Sequence, residues 1–513
     1  MCSENSKLEP MSWDDLLNDT RKEGNPDDLI PDKFNDKAKL VVPSKYPFKF
    51  DYFNVSASSA VRAMQDKTQV FAFSSSEFTR TRLTHSLEVS SVAEQIISMI
   101  DRYIKYYLNP KNGMLDENDE ITVEKKKRYT CIQRDFLPRK EDIISVVKTA
   151  GLLHDIGNPP FGHKGEKYLE KTVKEWINKK SHTMSLKDDE KQDLSIIEGN
   201  AQMLRFLLSA DSIKEMKIIN PTYSVLSCLM KYTCCKDSII SKDSFVHLHK
   251  KGFYLSEEDD VKEIFEELHI KPNKNIYPRH PLAFILEAAD DIAYRTADFE
   301  DAFFKGCITE EIISETLEKI KKSNERHISY FKDNLEILDK KLDSKSNNYD
   351  RFNIIHTWIT QLKIQLIYCA CWSFCENYNK IMDGIYQNEL LLDEKCFHKP
   401  TMNNLKEMME KYVYDSEQIK LQDKETEIII DKIWGYLTEF IQKGESSDFE
   451  TNQFSKLPYN LRVNLKSLSD KKSNQKYSFL YCEIRLIIDF ISCLSDEDAK
   501  QLAEWKDSYN MLG

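Results

Sequence analysis

Glycine and proline are scarce in this chain, with 13 and 15 residues among 513. Because these two residue types mark most turns, their scarcity favours long helices over a succession of short strands. No run approaches the roughly 18 consecutive apolar residues of a membrane-spanning helix, and the first residues lack the apolar segment of a secretory signal. We therefore expect a cytoplasmic protein with no membrane partner.

The sequence also lacks an excess of basic residues and any regular cysteine spacing. Lys and Arg number 73 against 85 Asp and Glu, a formal charge of −12, which argues against a surface for non-specific nucleic-acid binding. The 12 cysteines are irregularly spaced, so we expect reduced thiols rather than a disulfide framework. No glycine-rich phosphate loop of the Walker type is present, which argues against a P-loop nucleotide mechanism.

Apolar residues recur at helical spacing along most of the chain, and strand patterns are almost absent. The sequence therefore predicts an all-α fold: an N-terminal arm at 1–55, a metal-bearing helical core at 56–300 and a C-terminal helical region at 301–513. Within the arm we expect one short helix near 13–17, and helical spacing resumes near Ser56. The alternation of Phe245, His247 and His249 is also compatible with one short β-hairpin within 236–260.

Four residues from three separate fragments predict a metal site: His85, the adjacent His154 and Asp155, and Asp290. His85, His154 and Asp290 each share a face with apolar residues of a predicted helix, so their side chains point towards the core. A satisfied core histidine is the ordinary alternative for either imidazole alone. Two imidazoles and two carboxylates together are costly to bury unless a cation pairs them, which favours a divalent metal.

The segment after His154 carries a second pair of chemical groups. Gly157 and the two prolines that follow end the helix, and the chain then begins another one. His163 and Glu166 are three residues apart and so lie on one helical face, where a carboxylate can orient an imidazole for proton transfer. An ordinary pair at a helix start is the alternative.

Basic residues cluster around these fragments, although the chain is acidic overall. Arginine forks match phosphate oxygens, so the cluster favours a phosphorylated substrate. A surface salt bridge is the alternative for any single member. The cluster comprises Arg62, Lys67, Arg80, Arg82, Lys164 and Lys231.

Together these fragments resemble the HD superfamily of metal-dependent phosphohydrolases. Longer strings resemble, in order, those of the bacterial deoxyguanosine triphosphate triphosphohydrolases. These strings are QDKTQVF (65–71), RTRLTHSLEV (80–89), GLLHDIGNPPFGHKGE (151–166), EGNAQ (198–202), LMKY (229–232), RHPL (279–282) and EAADDIAY (287–294).

The resemblance implies an all-α HD core that hydrolyses a deoxynucleoside triphosphate, with dGTP favoured, to the deoxynucleoside and intact triphosphate. Water would attack the α-phosphate, and the cofactor would be Mn²⁺ or Mg²⁺, although the same ligands also accept Fe, Co, Ni and Zn. By position, the metal ligands would be His85, His154, Asp155 and Asp290. His163, oriented by Glu166, would serve as the acid–base group.

The resemblance also assigns residues to the substrate. Gln69, the backbone of Val70 and Asp298 would contact the sugar 3′-hydroxyl. Tyr294 would pack on the sugar and disfavour a 2′-hydroxyl. The residues assigned to the phosphates are Arg82, Asn200, Lys231 and Tyr232.

Departures from the family strings leave several properties open. Asn54 and Ala63 replace usual arginines, Val61 replaces an aromatic residue, and 493–496 departs from a Gly-Met-Thr-Asp-like string. Base preference, effector response and subunit packing therefore stay undecided, although the resemblance implies a homohexamer and allows a single-stranded DNA effector. Two alternatives are another HD phosphohydrolase, such as a 5′-nucleotidase or a phosphodiesterase, and a non-catalytic sensor of deoxynucleotides or single-stranded DNA.

Overall fold

The computed structural model of the protein describes residues 9–22, 45–69, 80–112, 120–180, 186–208, 219–234, 250–272, 276–323, 348–393, 396, 398–442, 457–470 and 476–510. Throughout these residues the regular structure is helical, apart from isolated β-bridge residues at Thr68 and Thr81, which pair with each other, and at Ile276. The all-α prediction is confirmed. The residues that suggested a hairpin, Phe245, His247 and His249, lie outside the described residues.

The helices follow one another along the chain with few other elements between them. The first twelve are α1 (Trp13–Leu16), α2 (Pro47–Ser56), α3 (Ser59–Ala63), α4 (Arg82–Leu108), α5 (Glu120–Cys131), α6 (Lys140–Leu153), α7 (Gly162–Lys180), α8 (Asp188–Leu194), α9 (Gly199–Leu208), α10 (Tyr223–Leu229), α11 (Glu258–Glu267) and α12 (Pro281–Phe304). The others are α13 (Glu310–Ser323), α14 (Asn348–Met382), α15 (Lys399–Met409), α16 (Glu417–Leu437), α17 (Glu439–Gln442), α18 (Tyr459–Asp470), α19 (Phe479–Cys493) and α20 (Asp496–Asn510).

Short segments with other helical hydrogen bonding supplement these helices. Four are 3₁₀ turns, at Met64–Asp66, Pro110–Asn112, Leu137–Arg139 and Leu255–Glu257, and two are π-helical, at Ile132–Phe136 and Glu410–Tyr414. No helix in the described part of the chain is both long and apolar enough to span a bilayer.

Helical structure is present at Ser59–Ala63 and Met64–Asp66, as expected after Ser56, but the prediction missed the preceding helix α2. Proline at the first helical position pre-sets the backbone for this helix. Its apolar pattern is hidden because Asp51 lies on the buried side, where Arg21 forms an ion pair with it. A buried charge with a partner 30 residues away in the sequence cannot be recognised from periodicity.

Three helices, α4, α6 and α12, pack against one another at the centre of the larger hydrophobic core. Gly151 permits this packing, since a Cβ atom there would lie 2.7 Å from the Cα of Ser90 on α4. The backbones of α4 and α6 therefore approach closely, which brings the side chains near their ends together.

Two hydrophobic cores are present among the described residues. The larger one contains side chains from Trp13 to Ile419, whereas the smaller one is built from α7, α8 and α16 to α20. Both draw on helices from either side of residue 300. The division at 1–55, 56–300 and 301–513 stays a prediction.

Candidate active site

The structure brings the four predicted metal ligands to one place, where α4, α6 and α12 meet. One ligand atom from each of His85, His154 and Asp155 lies within 4.8 Å of the others. Asp290 Oδ1 on α12 lies 3.1 Å from His85 Nε2 and 3.6 Å from His154 Nε2. The neighbouring Asp291 lies instead 3.6 Å from Arg295, so Asp290 is the carboxylate that faces the two imidazoles.

The two imidazoles are arranged as metal ligands would be. His154 Nδ1 lies 2.8 Å from the carbonyl oxygen of Gly151. Donation to that carbonyl fixes a proton on Nδ1 and directs Nε2 at the cluster. His154 Nε2 is buried and has no hydrogen-bond partner, and the His85 side chain is 1% exposed. An unpaired buried nitrogen directed at two carboxylates fits a divalent cation.

The electrostatics of the cluster favour added positive charge. Burial lowers the pKa of His154, but Asp155 and Asp290 outweigh that effect and raise it to about 9. Burial raises the pKa of Asp155, but Arg82 and then His154 oppose it and lower it to about 2. Arg82 NH1 lies 2.8 Å from Asp155 Oδ2. The carboxylates therefore stay ionised at neutral pH and attract a cation to this point.

A tight reversal connects the ligand helix to α7. We call residues 154–162 the ligand turn. Three of its residues have left-handed backbone: Gly157 (φ 77°), Phe161 (φ 66°) and Gly162 (φ 65°). Because Phe161 is not glycine, its conformation is strained unless neighbouring groups hold it. The reversal places His163 in the first turn of α7, beside the metal cluster.

His163 and Glu166 lie in the first turns of α7 but are not joined by a described hydrogen bond. Burial by surrounding protein and repulsion by Arg82 lower the pKa of His163, although solvent reaches the ring. Glu166 Oε2 accepts the Gly199 N–H at 2.9 Å. Burial and then Glu198 raise the pKa of Glu166 to about 7. The orientation of His163 by Glu166 stays a prediction.

The residues assigned to the phosphates each lie beside a polar or charged group. Asn200 Nδ2 donates to Glu198 Oε1 at 2.7 Å. Lys231 Nζ lies 3.2 Å from Glu287 Oε1 and 5.9 Å from the centroid of the Tyr232 ring. Sequence reasoning missed Glu198 as a site residue, although it directly precedes the Gly199-Asn200 string.

Four members of the predicted basic cluster are engaged elsewhere, which corrects that interpretation. Arg80 forms ion pairs with Glu88, Glu300 and Asp301. Arg62 donates to the carbonyl of Ala57. Lys67 donates to the carbonyls of Asn158 and Ser492. Lys164 pairs with Asp423. The partners of Lys67 and Lys164, and two of the three partners of Arg80, lie far away in the sequence, so charge clustering alone overstated the phosphate-binding surface.

Among the predicted sugar residues, Tyr294 lies beside His163, with ring centroids 6.5 Å apart. The Oε1 atom of Gln69 is buried without a hydrogen-bond partner. Val70 lies outside the described residues. Tyr414 OH donates to Asp298 Oδ2 at 2.6 Å and lies 2.7 Å from Tyr294 OH. Sequence reasoning missed Tyr414, which follows Asp298 by 116 residues and belongs to no recognised motif.

Comparison with known proteins agrees with this arrangement. The family description "HD domain" matches residues 82–199. The chain is 29% identical over 510 residues to a deoxyguanosinetriphosphate triphosphohydrolase-like protein of Listeria monocytogenes, covering 96% of this chain and 98% of that protein. It is also 29% identical over 504 residues to a deoxyguanosinetriphosphate triphosphohydrolase of Yersinia enterocolitica, covering 88% and 91% of the two chains.

A third relative, a deoxyguanosinetriphosphate triphosphohydrolase-like protein of Synechocystis, is 32% identical over 282 residues, covering 53% of this chain and 58% of the relative.

Proposed function

We propose that this chain hydrolyses deoxynucleoside triphosphates, with dGTP favoured. It belongs to the deoxyguanosinetriphosphate triphosphohydrolase family of the HD superfamily. Water attacks the α-phosphorus, and the bond to the 5′-oxygen breaks. The products are the deoxynucleoside and inorganic triphosphate. The observation that carries this proposal is the convergence of His85, His154, Asp155 and Asp290 beside His163.

The four converging side chains would hold the divalent ion, with Mn²⁺ or Mg²⁺ proposed. Bound there, the ion supplies Lewis acidity towards a phosphate oxygen and acidifies water. The bond from His154 Nδ1 to the Gly151 carbonyl supports a role for Nε2 as a metal ligand, because it already directs that nitrogen at the cluster. Arg82, beside Asp155, would turn a second N–H towards the substrate's phosphates.

His163 would move the proton. Its lowered pKa keeps the imidazole neutral at pH 7, so a ring nitrogen can accept the proton of the attacking water. The resulting imidazolium can donate that proton to the 5′-oxygen as the nucleoside leaves. Lys231 and Asn200 would hold the triphosphate, and Lys231 keeps a positive charge because Glu287 lies beside it.

The hydroxyl-bearing groups near Asp298 support recognition of a deoxyribose. Tyr294 and Tyr414 form one hydrogen-bonded unit with this carboxylate, and Gln69 offers a buried, unpaired amide oxygen. A site that pairs its polar groups with one hydroxyl rejects analogues that leave them unpaired or add bulk. We assign the 3′-hydroxyl to Gln69 and Asp298, and exclusion of a 2′-hydroxyl to Tyr294.

The family resemblance also suggests a homohexamer and a single-stranded DNA effector. Large apolar side chains exposed on α4, α5 and α14, including Tyr106, Ile121 and Ile364, support contact with further copies of the chain. Sedimentation velocity tests the oligomeric state, and turnover assays with and without a single-stranded oligonucleotide test the effector. A hexamer whose turnover responds to the oligonucleotide is expected. A monomer would contradict the first point, and unchanged turnover would contradict the second.

The test of the proposed reaction is a panel of the four dNTPs with Mn²⁺ or Mg²⁺, resolved by anion exchange. Deoxyguanosine and tripolyphosphate are the expected products from dGTP. The appearance of dGMP and pyrophosphate would refute the assigned bond cleavage. His163→Ala should lose turnover while retaining metal, whereas His269→Asn, at an exposed histidine paired with Asp15, is the matched control.

A further inference from the structure

Three segments that are distant in sequence, one of them the ligand turn, meet in the structure. The first is 67–69, whose Lys67 carbonyl accepts the Arg82 N–H at 2.9 Å. The second is the turn itself, where a Cβ atom on Gly162 would lie 2.8 Å from the carbonyl oxygen of Gln69. The third is 492–496, between α19 and α20. The backbone carrying a proposed sugar ligand therefore touches the backbone that leads into His163.

A single buried carboxylate, Asp496, connects these segments. Its Oδ1 accepts the Phe161 N–H at 2.8 Å. Its Oδ2 accepts both the Thr68 N–H at 3.2 Å and the Thr68 hydroxyl at 2.6 Å. Asp496 is 8% exposed. Its Oδ1 thus accepts from the ligand turn and its Oδ2 from segment 67–69, while the carboxylate itself belongs to segment 492–496.

A buried lysine makes a second connection among the same three segments. Lys67 Nζ donates to the carbonyls of Asn158 and Ser492, at 2.7 and 2.6 Å. Asn158 Nδ2 in turn donates to Asp155 Oδ1 at 2.7 Å, so this connection extends to a proposed metal ligand. Lys67 and Asp496 together form what we call the C-terminal clasp.

Packing alone does not fix the ligand turn on this side. A cavity of about 350 Å³ lies against Gly157 and Lys67. Phe161 has a left-handed backbone without being glycine, a conformation that persists only where surrounding groups hold it. The hydrogen bond from its N–H to Asp496 is therefore a local restraint on the residue two positions before His163.

We infer that Asp496 is a positioning residue that sets His163 and Gln69 relative to each other, from a helix start more than 300 residues downstream of either loop. The inference rests on the proposed function for its kinetic consequence. Binding energy from the phosphates is unaffected by Asp496, because none of its described bonds reaches a residue assigned to them. Misplacement of His163 should lower kcat, and misplacement of Gln69 should raise KM to a smaller extent by weakening contact with the sugar.

Asp496→Asn tests this directly, because an amide keeps the side-chain shape but has only one oxygen. That oxygen can serve Phe161 or Thr68, and the NH₂ group then faces an N–H donor in the other loop. We expect kcat for the best dNTP to fall about 10- to 100-fold, with KM within about 3-fold. Hydrogen exchange should accelerate in the peptides covering 66–69 and 158–163.

Asp498→Asn is the matched control, since Asp498 caps the same helix start by accepting the Ser495 hydroxyl at 2.7 Å and bonds to neither loop among the described contacts. It should leave both readouts unchanged. A raised KM with unchanged kcat, or kcat within twofold of the wild type, would overturn the positioning role. Unchanged exchange in both peptides would overturn the clasp. Failure of the wild type to cleave any dNTP would refute the proposed function, and the exchange comparison would still decide the clasp.

Discussion

Two clusters of buried charged residues differ in how their charges are compensated. The structural cluster lies between α8, α9, α19 and the segment at 251–257, and its three carboxylates face three cations. Its pairs are Asp193 with Lys251 and Arg485, Asp489 with Arg205, and Glu257 with Arg205. In the part of the chain that the structure describes, the two carboxylates of the metal cluster, Asp155 and Asp290, face Arg82 and two imidazoles.

This difference separates a cluster that completes the fold from one that requires a ligand. Buried charges without partners are expensive, so the structural cluster is internally paired. The carboxylates of the metal cluster depend partly on His154, whose pKa they raise to about 9, so a proton occupies the position that a divalent cation would take. Burial of charge alone therefore does not identify a site, whereas buried carboxylates that depend on an imidazole for their compensation do.

The largest expected effect comes from the metal cluster. His154→Ala should reduce turnover by at least about 1,000-fold, because it removes a ligand that the remaining residues cannot replace. The amount of bound metal should fall in the same variant. Activity assays and metal analysis of the dialysed protein measure both. Metal binding at the wild-type level would mean that His154 is not a ligand.

The converse substitution belongs to the structural cluster. Asp489→Ala should lower the free energy of unfolding by about 3–5 kcal/mol, because it leaves Arg205 with one buried partner instead of two. Urea unfolding measures the change, and the folded fraction should bind metal normally. Asp188→Ala, at a fully exposed carboxylate, is the control. If Asp489→Ala removed metal binding from folded protein, the two clusters could not be separate.

A smaller effect is expected at the residues proposed to contact the sugar. Tyr414→Phe removes a hydroxyl bonded to both Asp298 and Tyr294, and each such bond is worth about 0.5–1.5 kcal/mol. The corresponding loss in kcat/KM for dNTPs is roughly 3- to 10-fold, with weaker discrimination against ribonucleotides. Tyr412→Phe, which removes a hydroxyl bonded to Lys411, should be neutral. Equal kinetics for both variants would remove Tyr414 from the substrate site.

The smallest effect is a change in pH dependence. Burial and Glu198 raise the pKa of Glu166 from 4.5 to about 7, so the folded protein binds this proton more tightly than the unfolded chain does. Glu166 therefore favours folding below pH 4.5, and this contribution is lost as pH rises towards 7. Glu166→Gln should flatten the melting temperature across that range, unlike Glu175→Gln on the same helix. An unchanged profile would show that Glu166 is not held protonated.

Sequence reasoning located the residues whose spacing is local and helical. His85, His154 and Asp290 each follow an apolar 3.6-residue pattern, and the structure places them together. Tyr414 and Asp496 were not predicted as site residues, because their partners lie more than 100 residues away. The basic cluster was overestimated for the same reason, since the carboxylates that neutralise Arg80 and Lys164 are equally distant.

The most direct test of this account is an anomalous difference map from crystals of the protein grown with Mn²⁺ and measured at the manganese absorption edge. We predict one strong peak per subunit, within about 2.0–2.3 Å of an imidazole nitrogen of His85 and of His154 and of carboxylate oxygens of Asp155 and Asp290. A peak bound elsewhere, or crystals in which this cluster remains without manganese at saturating concentration, would contradict it.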